Sequence, residues 1–208
     1  MHKPPLLFAV TLFSLLLTGC ASPFVVTSPN PETGRFPTES SVASNEYKVF
    51  KPIDNLADQQ FSILLTSLNS SMTGLDGYPS YIEGMLKECG IEDFVDFEYL
   101  EDFVIANGLG DKVPTLSNRI GLHLLSKYTG PYMIISADLT NEVLDRWSFT
   151  ISVYDPVSST LKFQVSHHNL VFFGRFREAL LHPTFNALQE WLEASREAAP
   201  QKNEHYGT

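Results

Sequence analysis

Thiols and imidazoles carry the most chemistry a protein side chain can offer, and this chain holds two cysteines and six histidines among 208 residues. Cys20 closes an apolar run, with the small residues Gly19 and Ala21 on either side. Cys89 falls on one stripe with Ile82, Met85 and Leu86 and ends that segment beside Glu88 and Glu92. The negative end of a helix dipole and two carboxylates raise a thiol pKa, the reverse of what a thiolate nucleophile needs, so Cys89 is expected in the core. His167 and His168 are adjacent in a strand-like segment. Consecutive strand residues point to opposite faces, so the two cannot grip one ion without a bulge. His123 and His182 have no third ligand at metal spacing, and two cysteines are too few for a four-thiolate zinc site or a disulfide framework. The sequence has no G-x-S-x-G elbow, H-E-x-x-H, P-loop or G-x-G-x-x-G, and Asp76-Gly77 lacks the other ligands of a calcium loop and reads as a turn. No catalytic residue, metal ligand set or cofactor is therefore expected.

Cys20 is the exception, because of what precedes it. Lys3 opens a short polar stretch, and an apolar run follows from Leu6 to Leu17. Twelve residues make about 18 Å of helix, too short for a hydrocarbon core of about 30 Å, so residues 1–19 read as a signal peptide. The run ends in Leu17-Thr18-Gly19-Cys20-Ala21, which resembles the lipobox of bacterial lipoproteins. The resemblance implies that the Cys20 thiolate takes a diacylglyceryl group, that the chain is cut before Cys20, and that the new amine is acylated. Two or three acyl chains hold a protein on a bilayer, at about 0.8 kcal/mol per buried CH₂. Ala21 and Ser22 follow, with no aspartate at the second position. By resemblance to enterobacterial lipoproteins this implies a periplasm-facing outer-membrane anchor, with the inner membrane as the alternative.

The elements that follow must position whatever the anchor carries. Residues 20–46 hold four prolines, eight Ser/Thr and no apolar period, and read as the lipidated cysteine with a flexible tether. The 26 residues after Cys20 would span about 28 Å as a coil and about 85 Å when stretched. Residues 47–198 read as one globular domain, and 199–208 as a frayed polar tail.

Within the domain, Tyr47, Val49 and Phe50 suggest a strand. A helix capped by Asp54 or Asn55 is expected to carry Phe61, Leu64, Leu65, Leu68 and Met72. Ser80 with Glu83 forms a capping-box pattern before Ile82, Met85, Leu86 and Cys89, with Gly90 as the stop. A strand at 94–97 leads into a helix through Leu100, Phe103 and Val104. Ser117 is expected to open a helix that turns Ile120, Leu124 and Tyr128 inward. The run Met133-Ile134-Ile135 reads as a strand covered on both faces. Phe149, Ile151, Phe163 and Val165 alternate with polar residues around Asp155-Pro156, the signature of an antiparallel hairpin. A last helix is expected to start with Pro183 at its first position and to bury Phe185, Leu188 and Leu192.

This order describes an α+β fold: a mixed sheet with a C-terminal antiparallel hairpin and helices packed on it. From Tyr47 to Ala194 it resembles the anticodon-binding-domain-like module of several periplasmic proteins. These include the N-terminal domain of the Tol translocation protein, the curli-secretion lipoprotein, and lipoprotein activators of peptidoglycan synthases. The pieces that carry the resemblance are Ser117–Tyr128 running into Gly130-Pro131-Tyr132-Met133-Ile134-Ile135, and the turn at Asp155-Pro156; Ser136 stands where the family usually has glycine. It transfers no functional residue.

Charge is the remaining surface signal. The chain carries −10 overall, and residues 54–111 hold twelve carboxylates against Lys87 alone, a net −11. Such an excess gains nothing from counterion release, so nucleic acid is not an expected partner. Asp93, Asp96, Glu98, Glu101 and Asp102 read either as solvated helix faces or as a docking face for a basic envelope protein. The function expected is that of an accessory, assembly or scaffold factor of the cell envelope, acting by protein contacts. The alternative is an envelope hydrolase, of cell wall or lipid, that uses His167 or Cys89 in an unrecognised site.

Overall fold

The alternation at 147–165 does what its period requires. In a computed structural model of the chain, which describes residues 24–53, 56, 60–64, 77–92, 94–95, 97–143, 146–170 and 176–198, these residues form a long hairpin. Its strands are Arg146–Asp155 and Thr160–Leu170, and Phe149, Ile151, Phe163 and Val165 are fully buried. The Asp155 carboxylate folds the turn by accepting from the Val157 and Ser158 N–H groups at 2.9 and 3.3 Å.

Among the described residues six strands make one mixed sheet. They are β1 (Tyr47–Phe50), β2 (Gln60–Leu64), β3 (Phe94–Val95), β4 (Tyr132–Val143), β5 (Arg146–Asp155) and β6 (Thr160–Leu170). Their order is β1-β6-β5-β4-β2-β3, with β2 parallel to both β3 and β4 and every other pairing antiparallel. Four helices among the described residues cover it: α1 (Tyr78–Glu88), α2 (Phe97–Ala106), α3 (Arg119–Thr129) and α4 (His182–Ala198). Alternate residues of β4 feed two cores, as the unbroken run 133–135 requires. Met133, Ile135, Ala137 and Leu139 meet α1 and α4 on one face, while Tyr132 and Ile134 meet α2 and α3 on the other. The fold is α+β.

Several local expectations are corrected. Gln60–Leu64 is a strand, not a helix, in register with Tyr132–Ser136. Apolar residues three and four apart imitate a helical stripe, but pairing with a distant central strand decides the conformation. Asp54, Asn55, Leu65, Leu68 and Met72 lie outside the described residues. Helix α1 starts two residues before Ser80, behind Gly77 at φ 91° with Pro79 in its first turn, so the Ser80–Glu83 box is not its cap. Its end is as expected: Gly90 is left-handed, and Gly90 N–H and Ile91 N–H close on the carbonyls of Lys87 and Leu86.

Helix α3 is capped by Asn118, whose side chain accepts from Gly121 N–H at 2.9 Å, and not by Ser117. It buries Gly121, Leu122, Leu125 and Ser126, leaving Ile120 and Tyr128 exposed. Gly121 sets this face. A β-carbon there would overlap the Thr115 carbonyl, so only glycine lets the helix approach that loop.

At the other end of the chain, helical backbone begins before Pro183. Arg177–Leu181 is a π turn, closed by His182 N–H on the Arg177 carbonyl, and it runs straight into α4. Phe185, Leu188 and Leu192 are buried as expected.

The largest correction concerns residues 24–46. They were expected to pack on nothing, yet Phe24 and Phe36 are both buried in the main core, and Phe36 is 2% exposed. Aromatic residues twelve apart have no helical or strand period, so the pattern conceals the contact. The segment is a strap laid over α1, the π turn and α4.

Candidate functional site

The strap is held by what Pro183 cannot supply. An α-helical N–H at position 183 would bond the Ala179 carbonyl, and a π-helical one would bond Glu178, but proline has no N–H. Both carbonyls turn to other donors. The Glu178 carbonyl accepts from Glu39 N–H at 3.1 Å and Thr38 Oγ1 at 2.8 Å. The Ala179 carbonyl accepts from Asn169 Nδ2 at 2.8 Å, His167 Nε2 at 3.1 Å and Ser40 Oγ at 3.3 Å.

His167 joins this knot to the strap's end. Its Nδ1 lies 3.0 and 3.2 Å from the two oxygens of Glu46, the last residue of a 3-10 turn, Ser44–Glu46, that leads into β1. Ser40 Oγ lies 3.2 Å from Nε2. The order Ser40–His167–Glu46 is that of nucleophile, base and orienting carboxylate in hydrolases. The surroundings of the ring fit a structural role. His167 is 5% exposed, with Nε2 within reach of both the Ala179 carbonyl and Ser40 Oγ and Nδ1 against the Glu46 carboxylate, so every polar atom of the ring is engaged in holding the strap to β6 and the π turn. The cluster is a clamp. Burial raises the Glu46 pKa, but the Ala43 N–H at 2.7 Å, His167 and the His168 N–H outweigh it and leave the carboxyl below its ordinary range.

Further along the strap, Asn186 reads both backbone groups of one residue. Phe36 N–H donates to Asn186 Oδ1 at 2.8 Å, and Asn186 Nδ2 donates to the Phe36 carbonyl at 3.1 Å. The Phe36 ring sits between His182 and Phe185, with centroids 5.6 and 6.1 Å away. His182 Nδ1 donates to the Pro37 carbonyl, while its Nε2 is buried without a partner. A neutral ring tolerates that; burial, against the pull of Pro37, lowers the His182 pKa. Arg35 forms a two-pronged ion pair with Glu193, its Nη1 at 2.6 Å from Oε1. Phe24 stacks edge-on to Tyr78 at 5.3 Å and beside Tyr81 at 5.6 Å, and Arg177 donates to the Val25 carbonyl at 3.2 Å.

The residues singled out from sequence are scattered. His167 points inward and His168 outward, as strand alternation requires. Cys89 is 5% exposed, and burial followed by Glu88 pushes its thiol well above the ordinary range. Glu98, Glu101 and Asp102 are exposed on α2; Asp93, Asp96 and Leu17-Thr18-Gly19-Cys20 lie outside the described residues. Among the described residues no three His, Cys, Asp or Glu side chains cluster to hold a metal. Sequence reasoning missed Ser40, Glu46 and Asn186. The one available signal was Pro183 inside an otherwise helical pattern, which announces unpaired carbonyls and hence donors from elsewhere.

No protein-family model and no curated protein matches the chain. Several solved structures resemble it in part. The LpoB C-terminal domain from Salmonella enterica is 11% identical, with a TM-score of 0.38 over 54% of this chain and 83% of that one. Lipoprotein GNA1162 from Neisseria meningitidis is 14% identical, with a TM-score of 0.31 over 53% of this chain and 81% of that one. A PelC dodecamer from Paraburkholderia phytofirmans is 10% identical, with a TM-score of 0.33 over 72% of this chain and 94% of that one.

Proposed function

We propose that the chain is a lipoprotein of the bacterial envelope, acylated at Cys20, outer-membrane-anchored, and active through contacts with other envelope proteins and not by catalysis. The observation that carries this is Leu17-Thr18-Gly19-Cys20 directly after the apolar run Leu6–Leu17. The surroundings of His167 support the non-catalytic half, since the hydrolase-like arrangement among the described residues is buried, its imidazole 5% exposed and tied to Glu46 and the Ala179 carbonyl. The acidic face, Asp93, Asp96, Glu98, Glu101 and Asp102, is the surface assigned to a basic partner.

The strap changes how far such a domain reaches. With Phe24 seated, three residues separate it from Cys20. Four Cα steps span about 14 Å, against about 85 Å for the whole segment pulled free, so the seated strap keeps the domain close to the bilayer. Replacing Cys20 with serine tests the anchor. The variant is expected to lose acyl label and leave the membrane fraction; unchanged mass and membrane partition would overturn the reading.

A further inference from the structure

We propose that the face made by α1, the π turn and α4 is a peptide-binding groove, that residues 24–40 are its resident ligand, and that the same segment of a second copy of this chain can take their place. The groove recognises its occupant as peptide-binding surfaces do. Asn186 pairs with the N–H and carbonyl of one residue, two aromatic sockets take side chains twelve positions apart, and Glu193 fixes an arginine between them. The Glu178 carbonyl adds a requirement that no ordinary helix has. Pro183 cannot satisfy it and its donors Thr38 and Glu39 both belong to the strap, so if the strap lifts the carbonyl needs donors from elsewhere.

The occupant that meets every one of these features is the strap's own sequence, Phe24 through Arg35-Phe36-Pro37-Thr38 to Ser40, and each copy of the chain carries it. Exchange of an identical segment between copies changes no contact inside the groove. The strap has no sheet ladder of its own before β1 begins at Tyr47, so it can leave without opening the sheet. This proposal does not depend on the lipid anchor.

Val26 and Gly84 provide the test. A β-carbon built on Gly84 lies 3.5 Å from Val26 Cβ, at the lower edge of the separation a disulfide spans. In a Cys20→Ser background, Val26→Cys and Gly84→Cys are made singly and together, then oxidised. The double variant is expected to close an intramolecular bond. A mixture of the two single variants is expected to yield a covalent heterodimer on a non-reducing gel. That heterodimer should fall to background when Phe36→Ala and Asn186→Ala are added to both partners, since these leave the cysteines but remove the recognition. A double variant that does not close would show that the strap is not seated on α1. A closing double variant with no heterodimer from the mixture would end the exchange proposal. A heterodimer indifferent to Phe36 and Asn186 would reduce it to random collision.

Discussion

The Ala179 carbonyl lies one helical turn before Pro183 and receives no bond from it; His167, Asn169 and Ser40 supply the donors instead. A proline inside a helix usually costs about 3 kcal/mol or more, through the lost bond and the clash with the preceding turn. Here the π turn Arg177–Leu181 widens the helix at that point, and the lost bond becomes the place where the N-terminal strap and strand β6 meet α4. One residue without a donor thus joins the two ends of the described chain.

If the strap is structural, its anchors must stabilise the domain. Phe36 is 2% exposed, and Phe36→Ala is expected to cost about 3–5 kcal/mol, as for other buried aromatic truncations. Asn186→Ala leaves the Phe36 N–H and carbonyl without their partner and should cost about 1–3 kcal/mol. Urea unfolding of both variants measures this. Values below about 0.5 kcal/mol, the usual range for surface changes, would mean that the segment lies on the domain without holding it.

Glu46 and Ser40 should respond very differently to substitution. Glu46→Gln takes the charge from a carboxylate that faces His167 and accepts from the Ala43 and His168 N–H groups, and is expected to cost about 1.5–3 kcal/mol. Ser40→Ala removes one neutral hydroxyl and is expected to cost about 1 kcal/mol. Thermal unfolding of the two variants at neutral pH checks the ranking.

Helix α1 carries Gly84 for a reason that a two-step substitution can expose. Alanine in place of a helix-interior glycine normally stabilises by about 1 kcal/mol. Here the added methyl would overlap Val26 Cγ2, on a short β-branched side chain that cannot swing away. Gly84→Ala alone is therefore expected to loosen the strap and forfeit the gain. In a Val26→Ala background, where only Cβ remains at 3.5 Å, the gain should return. Equal effects in the two backgrounds, measured by urea midpoints, would show that Val26 does not rest on Gly84.

The contrast between the hairpin and the strap shows which parts of this fold are legible from sequence. Phe149, Ile151, Phe163 and Val165 declare their face because a strand's period of two is local, and the stripe Ile82, Met85, Leu86 and Cys89 does the same for a helix. Strand β2 is misread because its fate rests on Tyr132–Ser136, 72 residues on, whereas its own spacing imitates a helix. The α3 face turns on Gly121, which contributes nothing to a hydrophobic pattern. Phe24 and Phe36 announce themselves by composition alone, and their sockets lie on α1 and on the last helix. The Ser40–His167–Glu46 clamp draws on residues spread from 40 to 179, with no spacing that sequence could flag.

Acid should loosen the strap in two stages. Burial lowers the His182 pKa below its ordinary 6.5; Arg177 adds to this, while the Pro37 bond and Glu178 oppose it. The folded state then binds this proton less readily than the unfolded one. Its contribution is whole above pH 6.5 and is lost as pH falls through the lower folded value. Glu46, held below its ordinary 4.5, adds a second loss as pH falls from 4.5 through its own folded value. His182→Asn keeps a donor near the Pro37 carbonyl and cannot titrate. Urea midpoints against pH should show two descending limbs for the natural chain and only the lower limb for the variant.

The acidic face of α2 can be tested without disturbing the helix that displays it. Glu98 lies in the first turn, where a carboxylate favours the helix dipole, so reversing it risks destabilising α2 by about 0.3–1 kcal/mol. Glu101 and Asp102 are exposed and lie beyond that turn, so Glu101→Lys with Asp102→Lys reverses charge while leaving stability within about 0.5 kcal/mol. If a basic envelope protein docks here, its capture by the natural chain should weaken as salt rises, because exposed charges are screened beyond about 8 Å at physiological ionic strength. The double variant, with an unchanged melting temperature, should lose that partner already at low salt. A partner kept by the variant at low and high salt alike would return these carboxylates to the role of solvated helix surface.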